Sequence, residues 1–147
     1  MNEFICNLYE NNVIKEGNYI LKNGESSNIY FDMRSLISFP KSQKYLVDLC
    51  IKYIEKIDFD YICGVPYGAL ALASQISYVL QKPMIMLRKE DEVKGYGTKK
   101  EIEGFFEKGK KVLIIEDVIT TGSSLEKVIN KLVRNDLIPS NILCIVN

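Results

Sequence analysis

Hydrophobic and polar positions change rhythm three times between residues 111 and 134. Val112, Leu113, Ile114 and Ile115 form an unbroken apolar run, the pattern of a strand buried on both faces of a parallel sheet. The adjacent carboxylates Glu116 and Asp117 are expected to end it. Val118 and Ile119 lead into Thr120-Thr121-Gly122-Ser123-Ser124, hydroxyl-rich around one glycine. Leu125, Val128, Ile129 and Leu132 then recur at helical spacing. The segment predicts strand, acidic tip, hydroxyl loop and helix.

Elsewhere the rhythm is simpler. Phe4, Ile5 and Leu8 predict a short helix within residues 2–12, stopped at Asn11-Asn12. Residues 19–22 and 29–32 predict two short strands, with the turn signal Asn23-Gly24 in the connection between them. Pro40 opens a helix whose apolar positions Tyr45, Leu46, Leu49, Cys50, Tyr53, Ile54 and Ile57 keep the i, i+3, i+4, i+7 spacing. Residues 61–63 predict a strand that opens into Gly64-Val65-Pro66-Tyr67-Gly68, ahead of an apolar helix over 69–80. Further strands are expected at 84–87 and 142–146. Residues 88–104 are polar and glycine-containing, with basic and acidic side chains in balance. A solvated loop explains that balance, but connections this long inside a compact chain are functional lids or disordered segments. Repeated strand-helix alternation predicts an α/β fold, an open and mainly parallel sheet flanked by helices.

Composition narrows the function. A chain of 147 residues, 47% apolar and 26% charged, fits one globular domain. Nineteen basic and nineteen acidic residues cancel, so the electrostatic footprint of a nucleic-acid binder is missing. Cys6, Cys50, Cys63 and Cys144 stand in apolar contexts with no Cys-x-x-Cys pair, and histidine is absent. Neither a Cys/His metal site nor a Cys-His dyad can be assembled, and buried free thiols in a reducing compartment are expected. With no basic leader and no membrane-length apolar run, the expected location is cytoplasmic, with no membrane partner. Lysines and carboxylates must do any charged work.

The hydroxyl loop sits where free backbone N–H groups and the positive end of a helix dipole collect, a site suited to a phosphate monoester. A nucleoside triphosphate loop would carry a Lys-Ser/Thr pair and a dinucleotide loop three spaced glycines, and neither is present. Two carboxylates ahead of a phosphate cradle match a sugar phosphate instead, accepting hydrogen bonds from ribose hydroxyls or from metal-bound water. The plainer alternative is a core strand followed by a helix capped by Ser123 or Ser124, with both acids merely solvated. Likewise, residues 64–68 read equally well as a tight turn.

The two acids followed by Thr-Thr-Gly-Ser resemble the phosphoribosyl pyrophosphate (PRPP) signature of the type I phosphoribosyltransferases. Residues 19–34 (YILKNGESSNIYFDMR), Gly64-Val65-Pro66-Tyr67, Arg88-Lys89-Glu90 and residues 94–99 (KGYGTK) narrow this to the orotate phosphoribosyltransferases, especially the form fused in eukaryotic UMP synthases. The resemblance spans almost the whole chain. It implies a small N-terminal hood over about residues 1–37 and a PRPP-binding core over 38–147. It implies PRPP contacts from Lys22, Tyr67, Gly68, Arg88, Lys89, Lys94, Tyr96, Glu116, Asp117, Val118, Ile119, Thr120, Thr121, Gly122, Ser123 and Ser124. Lys94 and Asp117 would be catalytic; Tyr30, Phe31 and Thr120 would meet orotate. Mg²⁺ is the expected cofactor, bound mainly through PRPP rather than by a protein metal site. A homodimer is implied, with the mobile loop acting in trans. Many bacterial relatives carry lysine where Gly68 stands, and Asp91-Glu92-Val93 lengthens the loop ahead of Lys94. The family pattern also continues with an Asp-Arg-x-x-Gly stretch, whose arginine binds the orotate carboxylate, beyond the point where this sequence stops. A purine-using relative would change the hood, and a PRPP-binding module without catalysis would lose the lysines.

Overall fold

The computed structural model describes residues 3–21, 23–88 and 100–147. Helix α1 (Glu3–Glu10) leads into strands β1 (Ile14–Ile20) and β2 (Ser26–Phe31), which pair antiparallel as a separate two-stranded sheet. The first strand begins five residues earlier than the pattern predicts. The register slips between Glu16 and Tyr19, and at the turn Gly24 takes φ +86°, a conformation that glycine adopts freely. A 3₁₀ turn at Met33–Ser38, not foreseen from the sequence, then delivers the chain to α2 (Pro40–Ile54). Its Met33 and Leu36 are buried.

The main sheet has the order β5-β4-β3-β6-β7. Strands β3 (Tyr61–Gly64), β4 (Met84–Leu87), β6 (Lys111–Val118) and β7 (Ile138–Val146) run parallel, and β5 (Ile102–Glu103) is an antiparallel edge. Helix α3 (Leu70–Leu80) links β3 to β4, and α4 (Ser123–Arg134) links β6 to β7. Four strand-helix alternations were expected from the sequence; between β4 and β6 the described residues hold only the short β5.

The period of two along the central strands decides where the core lies. Leu113 and Ile115 of β6, with Ile62 of β3, join one buried cluster with α1, α2 and α3. Val112 and Ile114, with Tyr61 and Cys63, join another with Val128 and Leu132 of α4. Apolar side chains on both faces are what an unbroken hydrophobic run requires. Close packing of α3 on β3 needs Gly64, where an added Cβ would come 2.8 Å from both the Ala69 carbonyl oxygen and the Ala73 methyl. No described helix is long and apolar enough to cross a membrane.

Candidate active site

Strands β3, β4 and β6 are parallel, so the segments that follow them leave the sheet at the same margin, where open α/β sheets bind ligands. The acid pair is placed differently from the expected exposed tip. β6 continues through both carboxylates to Val118, because β7 pairs with it along that whole length, Glu116 opposite Cys144 and Val118 opposite Val146. Glu116 is therefore buried, only 5% exposed, whereas Asp117 is half-buried. Burial first, then a hydrogen bond to Asp117 and the charge of that neighbour, pushes the Glu116 carboxyl up to about 8. The two acids thus differ in burial, and that burial favours the neutral form of Glu116.

Asp117 lies against Gly68 of the loop that follows β3. A Cβ at residue 68 would fall inside the Asp117 carboxylate, so this position tolerates no side chain while the acid stays where it is. The same loop is tied to the sheet by Val65 N donating to Ile115 O at 2.9 Å, and its Pro66-Tyr67 peptide is cis. Tyr67 is exposed. Beside Gly68 and Asp117 a pocket of about 30 Å³ opens among Met33, Leu36, Leu46 and Leu72.

Past β6, Ile119 N donates to Val146 O at 2.9 Å and fixes the start of the hydroxyl loop. Gly122, not Ser123 or Ser124, is the residue that caps α4, at φ +75°, and the first helical N–H, of Ser123, donates to Thr121 Oγ1 at 3.4 Å. The hydroxyls are left to the loop itself: Thr121 Oγ1 donates to Ser123 Oγ at 3.3 Å. Thr120, Thr121 and Ser124 are exposed, and Val118, Ile119, Gly122 and Ser123 are half-buried. A helix start that opens on a glycine and is ringed by hydroxyls can receive a phosphate through its remaining backbone N–H groups.

Arg88 stands at the end of β4. Its N–H donates to Glu101 O at 3.0 Å and its guanidinium pairs with Glu103 at 3.3 Å. In β2 the two aromatics part, as neighbours on a strand must. Tyr30 tilts against Tyr19 at 5.2 Å between centroids and accepts a hydrogen bond from Arg34, while Phe31 packs on the core cluster shared with α2 and α3. Lys22, Lys89, Lys94 and Tyr96 lie outside the described residues.

The parallel sheet carries an acid pair and a hydroxyl loop at its margin, and the phosphoribosyl transferase domain model matches residues 40–137. The chain belongs to that family. Over 134 residues it is 42% identical to the orotate phosphoribosyltransferase of Methanosphaera stadtmanae, covering 91% of this chain and 74% of that protein. Over 147 residues it is 36% identical to the orotate phosphoribosyltransferase of Caenorhabditis elegans, covering 99% of this chain and 64% of that protein. The structure of Leishmania donovani UMP synthase superposes with a TM-score of 0.87 at 34% identity, over 97% of this chain and 30% of that one. The chain thus spans under two thirds of the worm enzyme's length and under a third of the fused synthase's.

Proposed function

We propose that the protein transfers the phosphoribosyl group of PRPP to N1 of orotate, giving orotidine 5'-monophosphate and pyrophosphate in pyrimidine biosynthesis. One observation carries the reading: an acid pair near the end of β6 is followed within a few residues by a hydroxyl-lined helix start at Gly122, in a chain whose relatives are orotate phosphoribosyltransferases.

Breaking the anomeric C–O bond develops positive charge on the ribose and negative charge on the departing pyrophosphate. Fixed charges facing those two centres lower the barrier without much proton transfer. In this reading Asp117 and Glu116 accept the ribose hydroxyls, and residues 120–124 hold the 5'-phosphate. Tyr67 and the backbone at Gly68 bind pyrophosphate. Arg88, Lys89 and Lys94 neutralise it as it leaves. Tyr30 and Phe31 would border the base. Among the described residues no three His, Cys, Asp or Glu side chains gather into a metal-binding group. Mg²⁺ keeps several waters and takes one or two carboxylates alongside substrate phosphate oxygens. Asp117, half-buried beside the loop, is the protein ligand on offer. When bound with PRPP, the ion would add positive charge at the pyrophosphate oxygens. The working unit in this reading is a cytoplasmic homodimer.

Titration calorimetry with PRPP and Mg²⁺, followed by a panel of orotate, uracil, adenine and hypoxanthine as acceptors, tests the proposal. PRPP binding and PRPP-dependent consumption of orotate alone are expected. No heat of binding on folded protein overturns the assignment, and turnover of a purine reassigns the base.

A further inference from the structure

The loop that follows β3, residues 64–68, carries no charged side chain, so it can hold an anion only through backbone N–H groups and the Tyr67 phenol. Glycine at residue 68 clears the space over its own Cα, as close approach of a ligand to backbone requires. That space is not left open. The two carboxylate oxygens and the carboxyl carbon of Asp117 are the atoms nearest to the position a Cβ would take. Among the described residues lining the adjoining pocket, Asp117 is the only one with a charged side chain. It is half-buried, so water and salt screen it only in part. A fixed negative charge therefore rests on the very backbone assigned to a polyanion, and like charges brought together in such a place oppose binding unless a cation comes between them.

We propose that Asp117 is a specificity-determining residue on the leaving-group side of the site: seated against Gly68, it repels pyrophosphate that arrives bare and attracts pyrophosphate that arrives with a divalent cation. This rests on the functional reading above, in which the backbone at Gly68 meets pyrophosphate. One side chain then serves the ribose and also selects the metal-bound form of the ligand. Pyrophosphate that loses its cation is expelled from the loop.

Titration calorimetry compares pyrophosphate in EDTA, pyrophosphate in excess Mg²⁺, and PRPP with Mg²⁺ on wild type, Asp117→Asn, Asp117→Ala and Asp48→Asn. The last removes an equal charge from an exposed position on α2. Both Asp117 variants are expected to bind metal-free pyrophosphate about tenfold more tightly than wild type, the low end for a like-charge contact at a half-buried position. They should bind PRPP with Mg²⁺ more weakly, so the two ligands move in opposite directions. The gain in pyrophosphate affinity from Mg²⁺ should shrink in both. Alanine separates lost repulsion from a new amide donor, and asparagine keeps the shape of the side chain should alanine fail to fold. Asp48→Asn should match wild type. No gain for metal-free pyrophosphate in the folded Asp117 variants, or an equal gain in Asp48→Asn, would overturn the inference alone. Wild type that fails to bind PRPP with Mg²⁺ overturns the functional reading and this inference together.

Discussion

The carboxylate of Asp117 occupies the space that a side chain at residue 68 would need. One residue lies next to the end of the central strand β6 and the other in the loop after its neighbour β3, so the segments proposed to hold ribose and pyrophosphate come into close contact there. Gly68→Ala is therefore expected to displace Asp117 and weaken PRPP binding by about tenfold to a hundredfold, the scale of an overpacked site. Calorimetry with PRPP and Mg²⁺ measures it; affinity equal to wild type would mean that the acid has room to move. Lysine, the residue of many bacterial relatives at this position, should be tolerated only with a shifted acid.

Glu116 should impose a pH signature on stability. The folded protein holds its proton up to about pH 8, whereas an ordinary glutamate releases it near 4.5. Between those values unfolding releases a proton, so the contribution of Glu116 is whole only below the lower one. It is lost as pH rises through the upper one, at no more than about 1.4 kcal/mol per pH unit. Glu116→Gln, which stays neutral, should flatten that decline. Urea unfolding of both proteins from about pH 5.5 to pH 8.5 tests the linkage; parallel curves would show that Glu116 is already ionised when folded.

The four thiols should separate by reactivity. Burial pushes Cys50 up to about 11 and Cys63 up to about 12, and neither reaches solvent. Cys6 and Cys144 are half-buried, and the Cys144 thiol is raised by its surroundings, burial first among them. Alkylation of native protein followed by peptide mapping should mark Cys6 first, Cys144 next, and Cys50 and Cys63 only after unfolding. Early labelling of Cys63 would mean that β3 opens readily.

Subunit exchange tests the proposed assembly. If Lys94 serves its neighbour's site, Lys94→Ala and Asp117→Asn homodimers should each lose about 100-fold or more in turnover. Mixing them should restore about a quarter of wild-type activity, because random pairing gives half heterodimers, each with one intact site. No recovery after demonstrated exchange would place Lys94 in its own subunit's site or remove it from catalysis.

Much of this was legible in the sequence, and the exceptions share a cause. The unbroken run 112–115 and the stripe Leu125, Val128, Ile129 and Leu132 predicted β6 and α4 because local period alone decides such elements. Pairing across the sheet decides where a strand stops, and only β7 reveals that β6 carries Glu116 and Asp117 within it. That same pairing buries one acid of two that look alike in the sequence. Gly68 was expected as a contact, but its closeness to Asp117 joins residues that are far apart in the chain and is set by the β3–β6 neighbourhood. Lys131, only 5% exposed on α4, gives no sign of that burial by residue type, because lysines are ordinarily solvated. The available signal was its place three residues after Val128 on the buried side of α4. Tyr30 and Phe31 are neighbours in the sequence, but on β2 their side chains part, Tyr30 against Tyr19 and half-buried Phe31 against the edge of the core cluster.

The two-residue strand β5 has a bearing on solubility. It covers Met86 and Leu87 on the outer edge of β4, and then comes Gly104, at φ +103°, where an added Cβ would come 3.2 Å from the Met84 carbonyl oxygen. An outer edge with a long flat row of N–H and C=O groups invites strands of other molecules to add to it. Here the row is two residues long, is flanked by the Arg88–Glu103 ion pair and ends in a kink. The β5 margin thus offers little length for edge-to-edge stacking between molecules.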